Sequence, residues 1–157
     1  MKIFQKSSQQ LPTPVQLPAD TEVAVIQNCN LRSFQTMHQQ LSQLTFLDLK
    51  QNALSSVQQL EQLCPSLQVL KAAYNQVDDY RCKFGNLLYL DLSNNKICEL
   101  LLNESLVYVN VANNRIRQLD ISKLLNLKEA DVSINDITEL KTQTCRIINV
   151  SCTILTL

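Results

Sequence analysis

Along most of this chain leucine-like residues recur at the first, fourth, sixth and eleventh positions of one pattern whose ninth position is asparagine, L-x-x-L-x-L-x-x-N-x-L. Five copies stand in order: Leu44-Leu47-Leu49-Asn52-Leu54, Leu67-Leu70-Ala72-Asn75-Val77, Leu87-Leu90-Leu92-Asn95-Ile97, Leu106-Val109-Val111-Asn114-Ile116 and Leu127-Ala130-Val132-Asn135-Ile137. Degenerate copies flank them, Thr21-Ala24-Ile26-Cys29-Leu31 before and Cys145-Ile148-Val150-Thr153-Leu155 after. The copies begin near 21, 44, 67, 87, 106, 127 and 145, so residues 21–157 read as one repeat domain. Residues 1–20 match no copy and carry Pro12, Pro14 and Pro18 among Gln and Ser, so they read as an extended N-terminal segment able to cover the first strand edge.

The third to seventh residues of each copy predict a short strand, because alternate side chains leave a strand on opposite faces and the apolar pair two apart points to one side. Successive copies then stack these strands in parallel. The asparagine follows where the chain bends away, and its amide both donates and accepts, which suits main-chain groups that the bend leaves unpaired. This predicts a ladder of Asn52, Asn75, Asn95, Asn114 and Asn135, with Cys29 and Thr153 in its place in the end copies. With a single glycine in the chain, asparagine is the next best residue for left-handed bends. In the two longest copies Phe34, Met37 and Leu41, then Val57, Leu60 and Cys64, fall at helical spacing, with Ser56-x-x-Gln59 as a capping box and Pro65 as a stop. Short helices are predicted there, and extended or 3₁₀ returns such as Leu100–Asn103 and Leu119–Ile121 in the shorter copies.

These copies resemble the leucine-rich-repeat family, and their shortness is similar to the intracellular class typified by the protein phosphatase-1 regulatory subunit. The resemblance implies an α/β solenoid with a parallel concave sheet of about seven strands, short helices on the convex side of the first repeats, and a protein partner docked on the concave face. Strand alternation selects the side chains that line that face. The third positions read Val23, Phe46, Val69, Tyr89, Tyr108, Glu129 and Ile147, a mostly apolar and aromatic row. The fifth positions set polar groups beside it, Asp48, Lys71, Asp91, Asn110 and Asp131 among them, and the seventh are mostly small. An apolar row with a polar rim fits a partner groove, so Phe46, Asp48, Val69, Lys71, Tyr89, Asp91, Tyr108, Asn110 and Asp131 are the candidate protein-binding residues.

Charge narrows the partner class: 14 Lys plus Arg balance 14 Asp plus Glu in 157 residues, so no basic field would gather nucleic acid or an anionic membrane. No apolar run reaches the roughly 18 residues of a membrane span, and Met1-Lys2-Ile3-Phe4-Gln5 turns polar too soon for a signal peptide. The reading is therefore cytoplasmic. The six cysteines lie far apart without a C-x-x-C pair and read as free thiols, and the sequons at Asn103 and Asn149 are discounted. There is no phosphate loop, zinc signature or EF-hand; the one histidine, His38, reads as a solvated rim residue, and no catalytic residue, metal or cofactor is expected. Function then rests on protein recognition, as an adaptor or regulatory protein, with a structural part of cytoskeletal or ciliary assemblies and a phosphatase-regulatory role as alternatives. Finally, Val150, Leu155 and Leu157 near the end of the chain face a core with nothing stacked beyond them, which points to self-association through that edge or to a longer gene product.

Overall fold

The computed structural model describes residues 1–37, 40–142 and 145–152. His38 and the end positions Thr153, Leu155, Thr156 and Leu157 lie outside the described residues. In chain order the elements are β1 (Ile3–Ser7), β2 (Val23–Gln27), β3 (Phe46–Asp48), α1 (Leu60–Leu63), β4 (Val69–Lys71), β5 (Asp79–Tyr80), β6 (Tyr89–Asp91), β7 (Glu99–Leu100), β8 (Tyr108–Asn110), β9 (Gln118–Asp120), β10 (Glu129–Asp131), β11 (Glu139–Lys141) and β12 (Ile147–Asn149). One parallel sheet runs β1-β2-β3-β4-β6-β8-β10-β12. Its register aligns the repeats, with Val23, Phe46, Val69, Tyr89, Tyr108, Glu129 and Ile147 opposite one another.

The core follows from the pattern. The fourth and sixth positions from Ala24 and Ile26 to Ala130 and Val132 are buried, as are the eleventh positions Leu31, Leu54, Val77, Ile97, Ile116 and Ile137. Each repeat alone has one apolar flank and nothing to bury it against, so stacking supplies the hydrophobic stabilisation. The sheet has eight strands because residues 1–20, which carry none of the pattern, still add a turn: β1 pairs in register with β2 from Ile3↔Val23 to Ser7↔Gln27. Phe4 and Leu11 pack on the core, and Val15 and Leu17 are buried in it.

Every strand of the sheet from β2 onward leads, at the eighth pattern position, into a residue with positive φ: Asn28, Gln51, Tyr74, Asn94, Asn113, Ile134 and Cys152. Ser8 does the same after β1. The left-handed kink swings the chain off the sheet while its N–H still donates to the next turn, as in Gln51 to the Ala73 carbonyl at 3.0 Å and Asn94 to Ala112 at 2.9 Å.

The convex side differs from the helical expectation. In the first long repeat Phe34 and Leu41 are buried as core residues should be, but Met37 is 70% exposed and no helix forms in the described part. The N-terminal segment takes that backbone instead: Val15 N–H donates to the Gln35 carbonyl at 2.7 Å and bridges Thr36 in parallel. In the second repeat the helix is only Leu60–Leu63. Ser56 and Gln59 form no capping box; the Ser56 hydroxyl accepts from Gln58 N–H at 3.2 Å, closing a local turn, and Gln59 makes no side-chain cap bond. In the later repeats the returns are extended, and they pair as two separate parallel ribbons, β5 with β7 and β9 with β11.

Candidate protein-binding face

The sheet face is held in place by the asparagines behind it. Each ladder Asn uses its oxygen to accept a main-chain N–H of the preceding repeat: Leu54 to Asn75 at 3.0 Å, Val77 to Asn95 at 3.0 Å, Ile97 to Asn114 at 2.9 Å and Ile116 to Asn135 at 3.1 Å. Asn52 accepts two, from Cys29 and Leu31. The amide NH₂ groups donate back into the stack, Asn95 to the carbonyls of Ala72 at 3.0 Å and Leu92 at 2.9 Å. One side chain thus fixes two neighbouring repeats, and the strand register of the face is a consequence. A further asparagine lies outside the repeat pattern. Asn103 is buried, donates to the carbonyls of Cys82 and Phe84, and accepts the Tyr80 hydroxyl at 3.1 Å.

On the open face the third-position row is half-buried from Val23 to Tyr108 and exposed at Glu129 and Ile147. Tyr89 and Tyr108 stack with ring centroids 4.3 Å apart and planes 8° from parallel, because one strand spacing separates them. Lys71 inserts its ammonium beside them, 5.4 Å from the Phe46 ring centroid and 5.5 Å from that of Tyr89. The row is therefore a continuous strip, Phe46, Lys71, Tyr89 and Tyr108, with Val69 in register between Phe46 and Tyr89. Burial pushes the Tyr89 hydroxyl pKa upward, with the hydroxyl of Tyr108 and the carboxylates of Asp91 and Glu129 adding to the shift. The phenol therefore stays protonated near neutral pH.

The fifth-position residues serve the strand ends more than the rim. Asp48 and Asp91 are only 5% exposed. Asp48 accepts from Lys50 N–H at 3.0 Å and from the Gln27 amide at 2.8 Å. Asp91 accepts from the N–H and hydroxyl of Ser93 and pairs with the Lys50 ammonium at 3.2 Å, a contact that spans the intervening repeat over the fully buried Ala73. Asp131 takes the N–H and hydroxyl of Ser133, and Asn110 takes the N–H of Ala112. These are Asx turns that close each strand. Their signal was present in the recurring pairs Asp91/Ser93, Asp131/Ser133 and Asn149/Ser151, two residues apart. What faces outward from the candidate set is then Phe46, Val69, Lys71, Tyr89, Tyr108 and the free edges of Asn110 and Asp131. Tyr74 and Ile134, both more than half exposed at the kink positions, extend the rim and were not among the candidates.

Burial pushes the thiols of Cys64 and Cys82 up to about 12, the latter helped by Glu61 and Asp79, so neither is a thiolate nucleophile near neutral pH. Among the described residues no group of three His, Cys, Asp or Glu side chains is placed to hold a metal ion, and no helix is long and apolar enough to cross a membrane. A cleft of about 760 Å³ lies between the two convex ribbons, lined by Cys98, Arg115, Arg117 and Asp136 among others; its Glu99 is already paired with Arg81.

This architecture is a leucine-rich-repeat solenoid. Residues 86–104, the repeat that carries Asn95, match the model of the Leucine Rich Repeat family. Among solved structures the chain is similar to YopM from Yersinia enterocolitica, with 25% identity and a TM-score of 0.79 over 90% of this chain and 31% of that one. It is also similar to the LRIM1/APL1C complex, with 20% identity and a TM-score of 0.80 over 96% of this chain and 30% of that one. The functional domain of InlJ from Listeria monocytogenes aligns at 16% identity with a TM-score of 0.60, over 90% of this chain and 43% of that one. The chain thus spans under half the length of each. No curated protein sequence matches it.

Proposed function

We propose that this solenoid is a non-enzymatic adaptor or regulatory protein that grips an extended segment of a partner protein along Phe46, Val69, Lys71, Tyr89 and Tyr108. The observation that carries the reading is the stacked Tyr89–Tyr108 pair, aligned by the sheet register with Phe46 and left half-accessible on the open face. Rigid aromatic rings supply contact area at low entropic cost, and such anchors dominate the energetics of interfaces. Proteins of this fold are protein-interaction scaffolds, and the LRIM1/APL1C neighbour is itself a complex. A reducing, cytoplasmic setting suits cysteines that are all free, three of them buried singly. The end strand β12 adds a second contact to the proposal, between copies of the chain.

Tyr89→Ala combined with Tyr108→Ala tests the reading. The circular dichroism spectrum and cooperative melt should persist, while a partner captured by the wild-type chain and identified by mass spectrometry should be lost. Retention of every partner by a folded double variant would overturn it. Identity of the captured protein also separates the alternatives: a phosphatase catalytic subunit supports the regulatory role, and a cytoskeletal or axonemal protein supports the structural one.

A further inference from the structure

Resting on that reading, we propose that the partner segment presents an arginine or lysine side chain to the face of Tyr108 that points away from Tyr89, with Glu129 and Asp131 as its counter-charges. Because the two rings are stacked nearly parallel, Tyr89 covers one face of Tyr108 and the other is turned toward β10. The residue in register there is not a further ring but Glu129, which is exposed, and Asp131 stands in register with Asn110 one step along. The ion pairs among the described residues do not involve either carboxylate. An aromatic face edged by two carboxylates is complementary to a cation, through the ring quadrupole and through charge-assisted hydrogen bonds.

The same face shows what such a cation does. On the opposite side of the strip Lys71 places its own ammonium between the Phe46 and Tyr89 rings, so the order along the sheet is ring, cation, ring, ring, then a carboxylate pair. The partner's cation continues that alternation. The Glu129 carboxylate already acts on this strip, adding to the upward shift of the Tyr89 hydroxyl that burial and Tyr108 cause first. A planar guanidinium fits better than an ammonium, since it stacks on the ring and reaches a carboxylate with its edge at the same time.

The probe is Nα-acetyl-argininamide, called argininamide below, with its neutral isostere Nα-acetyl-citrullinamide, called citrullinamide, as control, titrated into the whole chain and followed by amide chemical shifts. Argininamide should move the Tyr108, Glu129 and Asp131 signals, citrullinamide should leave them in place, and 0.5 M salt should weaken the effect through screening. The variant Glu129→Gln with Asp131→Asn should weaken binding about fivefold or more. That variant keeps the turn, because Asn149 accepts from the N–H and hydroxyl of Ser151 as Asp131 does from Ser133. Equal shifts from both probes, shifts centred elsewhere, or an unaffected carboxylate variant would each overturn the inference. Capture of the natural partner distinguishes its failure from that of the binding-face reading: loss in the tyrosine variant with full retention in the carboxylate variant removes the cation and leaves the face.

Discussion

Ile134 sits at φ 54°, in the left-handed region where a β-branched side chain crowds its own backbone. The same kink is filled by asparagine at Asn28, Asn94 and Asn113, whose short polar side chain tolerates it, and by Gln51, Tyr74 and Cys152 elsewhere. Ile134 is 53% exposed, so replacing it sacrifices little burial, and its N–H bond to Ser151 does not depend on the side chain. Ile134→Asn should therefore stabilise the fold by about 1 kcal/mol, read as a higher urea midpoint at unchanged slope. A lower midpoint would mean that contacts of the isoleucine outweigh its backbone strain. The contrast with the ladder shows what is legible at this scale. Asn75 or Asn114 must both donate and accept in a buried place, few residues can, and the position stands out in the sequence. The kink asks only for a backbone conformation, and with Asn, Gln, Tyr, Ile and Cys all tolerated there it leaves no consensus to read.

The short strands of the main sheet were legible because burial on one side imposes a strict alternation, and Leu47/Leu49 or Leu90/Leu92 announce it. The convex elements were not. Phe34 and Leu41 are apolar because they reach the core, and residues seven apart do so from an irregular segment as well as from two helical turns; only the exposed Met37 betrays the difference. The division of the returns into two ribbons also left no trace in the pattern, since it depends on contacts between turns. Arg81 ties β5 to β7 by its ion pair with Glu99, and the Gln118 amide reaches Glu139 at 3.3 Å across β9 and β11, while the cleft lies between the ribbons. Isolated two-stranded ribbons open more easily than the interior of an eight-stranded sheet. The amides of Leu101 and Ile121, bonded to Tyr80 and Lys141, should then exchange hydrogen at least about tenfold faster than those of Leu92 and Val111, bonded to Asn110 and Asp131 at the same 2.8 Å. Uniform protection across both sets would show that the solenoid opens only as a whole.

At the scale of the molecule a solenoid stacks its turns along one axis, and the first and last strands of this sheet are bounded differently. At the first, β1 covers β2, with Phe4 packed on the core and the buried Val15 and Leu17 closing the flank. The sequence showed those 20 residues as a proline-bearing segment, because the strand that caps a stack need not repeat the pattern of the strands it covers. At the other, among the described residues β12 pairs only with β10, Ile147 is 59% exposed, and Ile148 and Val150 are only partly buried against the core. The outer edge of β12, with Ile147 exposed beside it, is the kind of apolar strand edge on which another strand can pair. Two copies meeting through β12 about a two-fold axis would pair antiparallel and close, giving a dimer and not a filament. Light scattering from about 1 to 100 μM should show the mass rising toward that of a dimer, as a micromolar contact requires. Ile147→Lys, which puts a charge on the exposed side chain of that edge strand while leaving Ile148 in the core, should hold the chain monomeric without lowering its melting temperature by more than a few degrees. A strict monomer at the upper end of that range would rule out association through this edge.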